Sequence, residues 1–235
     1  MSDEKNTSLR VKYNGEKQFN NKEEDCFVPR NDEQKTLLII FVKNIKLGKV
    51  KTRLAKTIGN EGAFQVYKHL VQLTEDATEE VKAKKHIYFS DVIIDSKWQK
   101  EAKFVQNGAD LGGKMQNAFE KGFKDGFEKI ILIGSDLPDI SSEVIEDGFT
   151  ALSNQEVVFG PAEDGGYYLV GMKKPHFSVF QNKQWSTDDL LKSTLLELKN
   201  KGIDYSLLKV LNDIDTFEDL KTSKIYDNEK FHFNS

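Results

Sequence analysis

The chain has 235 residues, 38% hydrophobic and 31% charged, with a net charge of −4. That suits one compact domain, or one domain plus a tail, and it lacks the basic excess of a nucleic-acid binder. A single cysteine, Cys26, excludes an internal disulfide framework and a multi-cysteine metal site.

No apolar run approaches the roughly 18 residues of a membrane span. The start, Met-Ser-Asp-Glu-Lys, shows no apolar signal-peptide core. A reducing, cytoplasmic location is therefore expected. Residues 1–35 are polar, rich in Asn, Lys and Glu, and show no periodicity. They read as a flexible extension, with a short strand at 9–13 as an option. Residues 36–235 are expected to form one domain.

From Thr36 the pattern changes. Residues 37–42 read as a buried strand. Residues 44–53 read as a basic, glycine-containing loop. Ala63, Tyr67, Leu70, Thr74, Ala77 and Val81 recur at helical spacing over 60–82. Strands are expected at 86–89 and 102–105, then a helix over 112–126 with Met115, Phe119 and Phe123 on one face. Another strand spans 130–133. Ser141 or Ser142 can cap a helix with Val144, Ile145, Gly148, Phe149 and Leu152 inward. Strands at 157–159 and 167–170 follow closely, and are expected to add an antiparallel element at one edge of the sheet. Thr187 is the expected cap of a helix with Leu190, Leu191, Leu195 and Leu198 inward. Residues 205–211 read as the last strand. Strands alternating with helices imply a mostly parallel, doubly wound sheet covered on both faces.

The chemistry lies at the strand ends, where open α/β sheets bind ligands. Lys43, Lys46, Lys49, Lys51 and Arg53 follow the first strand. A flexible basic loop can wrap a polyphosphate, although a solvated lysine loop has the same composition. Neither a P-loop nor a GxGxxG fingerprint is present. Asp136 follows the strand at 130–133, where a carboxylate suits Mg²⁺; a helix-entry turn with Pro138 and Asp139 is the alternative. Asp164-Gly165-Gly166 is a hairpin-turn signal, yet glycines also admit a ligand to the backbone, and Asp164 can act as a base. Trp185, Ser186 and Thr187 combine a stacking surface with capping hydroxyls. Asp213 and Asp215 follow the last strand and, two apart, point the same way on an extended segment. Thr216 and Asp219 fit a capping box. The four histidines lack ligand spacing, so a histidine metal site is not expected.

Six segments together resemble the bacterial DUF2064 family, often labelled glycosyltransferase-like. They are FVK…G.VKTRLA at 41–55, Q.G.DLG.KM at 106–115, IGSDLPD at 133–139, GPAEDGGYYLVG at 160–171, WST at 185–187 and LNDIDTFEDL at 211–220. The resemblance spans 37–220 in order. It implies a nucleotide-diphospho-sugar transferase fold of GT-A type, a three-layer α/β/α sandwich with a mostly parallel Rossmann-like sheet. It also implies nucleotide phosphates on Lys43, Lys51 and Arg53, with Asp110 in the same group. A divalent ion, Mg²⁺ or Mn²⁺, would be held by Asp136 and Asp215. Asp164 would lie near the reacting centre, and Gly165, Gly166, Trp185, Ser186 and Thr187 would face donor or acceptor. The compact Asp-x-Asp usual in glycosyltransferases of this fold is absent: the segment reads Ser135-Asp136-Leu137.

The expected function is a metal-dependent glycosyltransferase using a nucleotide-diphosphate sugar and a small-molecule acceptor. The alternatives are nucleotidyl transfer to a phosphorylated small molecule, with release of pyrophosphate, and a non-catalytic nucleotide-binding domain.

Overall fold

The structure is a computed structural model that describes residues 35–226. The N-terminal extension, and the strand considered at 9–13, lie outside the described residues. Seven strands form one sheet in the order β3-β2-β1-β4-β6-β5-β7. They are β1 (Thr36–Val42), β2 (Lys84–Phe89), β3 (Ala102–Val105), β4 (Lys129–Ile133), β5 (Val157–Pro161), β6 (Tyr167–Met172) and β7 (Tyr205–Leu207). Five helices cover it: α1 (Thr52–Glu79), α2 (Leu111–Lys124), α3 (Ser142–Asn154), α4 (Leu190–Asn200) and α5 (Phe217–Thr222).

The two layers follow from the pleat. Successive side chains of a strand face opposite sides. Leu38, Ile40 and Val42 of β1 pack with α1, α3 and Leu220 of α5. Leu37, Ile39 and Phe41 pack with Met115 and Phe119 of α2 and with Leu191 and Leu198 of α4. Both faces are apolar because both are covered, which is why β1 and β4 read as unbroken apolar runs. Each fully buried Leu or Ile contributes about 1.5–3 kcal/mol. No described helix is long and apolar enough to cross a membrane.

Three sequence expectations change. The β5–β6 pair does not lie at an edge. β6 is antiparallel to both β4 and β5 and fills the place between them, and β7 pairs parallel with β5 outside it. The crossover through α3 skips one position, and the tight hairpin turn returns β6 into the gap. The basic loop ends earlier than expected: α1 begins at Thr52, and Gly59, at φ 76°, interrupts the helix before its main stretch. Thr187 does not cap α4. The cap position is Asp189, without a side-chain bond, and the Thr187 hydroxyl donates to the Gln184 carbonyl. Ser186 adopts a left-handed φ of 63°, which turns the chain before the helix begins.

Other local expectations hold. Ser141 caps α3, whose buried residues are Val144, Ile145, Gly148, Phe149 and Leu152. Thr216 and Asp219 form a reciprocal capping box on α5. Strand order reverses between β1 and β4, so the loops after these strands diverge and leave a crevice at their carboxyl ends.

Candidate active site

The crevice is a cavity of about 290 Å³. Lys43 reaches it from the end of β1, and Ser135 and Asp136 from the end of β4. Asp164, Gly166, Tyr167 and Tyr168 come from the β5–β6 hairpin, and Trp185, Ser186 and Thr187 from the segment before α4. Asp213 enters from the segment after β7.

One buried cation organises its acidic side. The Lys51 ammonium donates to Asp136 Oδ2 at 3.1 Å and to Asp215 Oδ1 at 3.0 Å. Only 5% of the Lys51 side chain is exposed, whereas Asp136 and Asp215 keep 32% and 39%. Arg53 lies on the outer side of Asp215, with Nη1 3.3 Å from Oδ2. Lys51 immediately precedes α1 with a left-handed φ of 46°.

The charges shape one another. Burial works to deprotonate Lys51, but the carboxylates of Asp136, Asp215 and Asp213 outweigh it and hold the ammonium well above its ordinary range. Burial disfavours ionised Asp136, yet Lys51 and then Lys43 keep its carboxyl below the usual range. Asp213 goes the other way. Burial and the Asp136 charge push it up to about 6, against a smaller opposing pull from Lys51. The cluster thus carries more negative charge than its ammonium neutralises.

A second connection fixes the geometry. Tyr67 of α1 accepts the Lys43 backbone N–H at 2.9 Å, and its hydroxyl shares a 2.9 Å hydrogen bond with Ser135 Oγ. Burial pushes the Tyr67 phenol up to about 12, so it stays protonated. It links the loop after β1 to the residue preceding Asp136.

The hairpin tip is built for close approach. Asp164 Oδ1 accepts the Gly166 N–H at 2.9 Å. Gly165 has φ +83°, and a Cβ there would come within 2.0 Å of the Asp188 carbonyl oxygen. The Gly165 carbonyl accepts the Leu191 N–H, so tip and α4 are joined. Gly112 of α2 plays a similar part, since a Cβ there would meet the Trp185 ring at 2.7 Å.

Asp136 and Asp215 offer hard oxygen donors of the kind Mg²⁺ and Mn²⁺ take, and in this structure both pair with the Lys51 ammonium. Among the described residues no group of three His, Cys, Asp or Glu side chains is placed to hold an ion. An ion there would complete its coordination with substrate phosphates and water, a common arrangement for Mg²⁺.

A family model matches residues 69–187, that of DUF2064, described as an uncharacterized protein conserved in bacteria. The chain belongs to the DUF2064 family. This DUF2064 member is similar to a protein of Desulfovibrio desulfuricans G20 described as a candidate nucleotide-diphospho-sugar transferase. The two share 30% identity and a TM-score of 0.76, over 85% of this chain and 94% of that one. It also resembles CMP:2-keto-3-deoxy-manno-octonic acid synthetase solved with CTP, at 12% identity and TM-score 0.52, over 80% and 96% of the chains. The 4-diphosphocytidyl-2C-methyl-D-erythritol synthase of Anaerococcus prevotii DSM 20548 gives 15% identity and TM-score 0.50, over 80% and 93%. These last two likenesses are of fold alone. No curated protein matches the sequence.

The fold of this DUF2064 protein is that of the nucleotide-diphospho-sugar transferases. Of the residues singled out in its sequence, Lys43, Asp136, Asp164, Gly166, Trp185, Ser186 and Thr187 line the cavity. Lys51, Arg53 and Asp215 adjoin it through Asp136. Gly165 packs against Asp188. Asp110 is not a lining residue: its carboxylate caps α2 by accepting the Gly113 N–H at 2.7 Å. Tyr67 carries only a core signal in the sequence and Tyr167 only a strand signal, so neither stands out there as a site residue. Asp213 was visible as a strand-end acid, without its place in the cavity.

Proposed function

We propose that this protein is a metal-dependent glycosyltransferase that takes a nucleotide-diphosphate sugar as donor and a small molecule as acceptor. The observation that carries this reading is the meeting of the Lys51–Asp136–Asp215 cluster with Lys43 and Asp164 around one crevice where the strand order reverses. The similarity to the Desulfovibrio protein supports transferase chemistry of this general kind.

Lys43, Lys51 and Arg53 are assigned to the donor diphosphate. Asp136 and Asp215 would hold a divalent ion, whose chemistry is to neutralise charge on the departing diphosphate. Tyr67 keeps Lys43 and Ser135 in register across the crevice. Asp164 takes the proton from the acceptor hydroxyl. In that step the bond from the anomeric carbon to the diphosphate oxygen breaks. A bond from that carbon to the acceptor oxygen forms, and nucleoside diphosphate leaves. Electrostatic stabilisation of such a leaving group is worth several kcal/mol.

The second reading is nucleotidyl transfer, favoured by the fold shared with the CTP-bound synthetase. Calorimetry with a panel of nucleoside triphosphates and nucleotide sugars, with and without Mg²⁺ or Mn²⁺, followed by product analysis, separates the readings. Release of nucleoside diphosphate from a nucleotide sugar supports glycosyl transfer. Release of pyrophosphate from a triphosphate supports the second reading, and tight binding without turnover supports a non-catalytic domain.

A further inference from the structure

We infer that the acceptor of this site is an uncharged, hydroxylated molecule carrying an apolar or aromatic group. The inference rests on the glycosyl-transfer reading above and extends it to the class of the second substrate.

The first argument is charge. Among the described residues that line the cavity, Lys43 alone is cationic, whereas Asp136, Asp164 and Asp213 are acidic. The neighbouring cations already have partners: Lys51 bridges Asp136 and Asp215, and Arg53 contacts Asp215. Once a diphosphate and its ion engage Lys43 and Asp136, a phosphorylated or carboxylated acceptor would still face Asp164 and Asp213, with no further cation among the described residues that line the cavity. Specificity of this kind comes from the repulsive partners as much as from the attractive ones.

The second argument is the opposite wall. Phe41, Met115, Leu132 and Leu190 line the cavity and belong to the buried core, each at most 8% exposed. The Trp185 ring is held against Gly112, where there is no room for a Cβ. Leu111, 46% exposed at the start of α2, also lines it. The cavity therefore joins carboxylates on one side to a preformed apolar wall on the other. Small-molecule sites commonly combine an apolar lining with a few placed polar groups.

A third observation agrees. Tyr167 lines the same cavity, and its buried hydroxyl has no hydrogen-bond partner among the described residues. Such a group would be satisfied by an oxygen of a bound hydroxylated molecule, and it does not by itself choose the charge of that molecule. The transfer itself is unchanged: the acceptor hydroxyl loses its proton to Asp164 and its oxygen bonds to the anomeric carbon.

The test is direct binding, without turnover. Calorimetry on the full chain, with Mn²⁺ and saturating pyrophosphate present to occupy Lys43, would compare glucose, phenyl glucoside and glucose 6-phosphate, with a nucleotide-sugar panel as a separate arm. The expected result is phenyl glucoside at least tenfold tighter than glucose, and glucose 6-phosphate at least tenfold weaker than glucose. Leu111→Asp should weaken phenyl glucoside at least fivefold, whereas Leu196→Asp, on the exposed face of α4, should not. Equal or tighter binding of glucose 6-phosphate, no gain from the phenyl group, or no binding of any of the three overturns the inference. The predicted order without nucleotide-sugar binding supports this ligand class and contradicts the glycosyl-transfer reading. Nucleotide-sugar binding with glucose 6-phosphate preferred contradicts the acceptor class alone.

Discussion

Lys51 and Asp136 meet at 3.1 Å across the crevice where the strand order reverses, although 85 residues separate them in the chain. Asp215 closes the other side of the same ammonium at 3.0 Å. This contact joins the segment after β1 to those after β4 and β7. The proposed site is built around it.

Lys51→Met leaves Asp136 and Asp215 without their shared cation. Breaking a fully buried pair costs about 3–5 kcal/mol. Because both carboxylates keep some exposure, about 2–3 kcal/mol is expected here. Urea unfolding measures it, and Mg²⁺ or Mn²⁺ should restore part of the loss. An unchanged midpoint would show that the bridge adds nothing to the fold.

Asp136→Asn keeps the size of the side chain and one contact atom for Lys51, so the fold should persist. Transfer should fall by about 10²-fold or more, the scale of losing an electrostatic group in a transition state. Circular dichroism alongside steady-state kinetics checks both halves. A folded variant with full activity removes Asp136 from the site.

Tyr67→Phe deletes the hydroxyl between the Lys43 N–H and Ser135 Oγ. A buried hydrogen bond of this kind contributes about 0.5–1.5 kcal/mol net. The expected outcome is a stability loss of that size, together with a higher KM for the nucleotide donor. Tyr67 acts through Lys43, so a lower kcat with unchanged KM would contradict its positioning role.

Gly165→Ala puts a methyl group where the Asp188 carbonyl already lies, at a backbone φ of +83°. Strain of this kind costs about 1–3 kcal/mol. Thermal unfolding should show the loss, and proteolysis should show the segment from 185 to 190 opening. A neutral substitution would mean that the hairpin tip moves freely away from α4.

Glu197 and His86, both away from the crevice, are among the groups that shape the acid side of the stability curve. Burial works against ionised Glu197, but hydrogen bonds from Lys183 and Lys201 outweigh it and bring its carboxyl down to about 2. A lowered carboxyl contributes stability that is present above its unfolded value, near 4.5, and is lost as pH falls toward 2. His86 is held below its usual 6.5, first by burial, with a smaller opposing pull from Asp125. Its unfolded form therefore takes up a proton first, and stability declines as pH falls below about 6.5. Glu197→Gln should flatten the curve below pH 4.5, and His86→Phe should flatten the stretch just below 6.5. Unfolding free energies measured from pH 7 to 3 test both. Parallel curves for wild type and variants would contradict the assignments.

Much of this was legible in the sequence because it was local. Ser141 and the Thr216–Asp219 box announced helix starts, and the apolar runs of β1 and β4 announced strands covered on both faces. Asp136 and Asp215 stood out because acids at the ends of buried strands need partners. The position of β6 was not legible. Strand order depends on which gap the returning hairpin fills, and the local periodicity of 157–172 is the same either way. Nor was the Lys51 bridge legible: the family resemblance singles out Lys51 for phosphate, and nothing local in the sequence pairs it with Asp136 and Asp215. Thr187 carried a cap signal, but the left-handed turn at Ser186 delayed the helix past it. Asp110 sat in one of the six segments that resemble the DUF2064 family, although Asp-x-x-Gly before a helix is also a cap, and here it caps α2.

The most direct test of the central claim is product analysis with a nucleotide sugar, Mn²⁺ and a neutral hydroxylated acceptor, run on the wild type and on Asp136→Asn. The account predicts stoichiometric nucleoside diphosphate and glycosylated acceptor from the wild type, and a loss of both by about two orders of magnitude or more in the variant. Pyrophosphate released from a nucleoside triphosphate, with no glycosylated product from any nucleotide sugar, would contradict it.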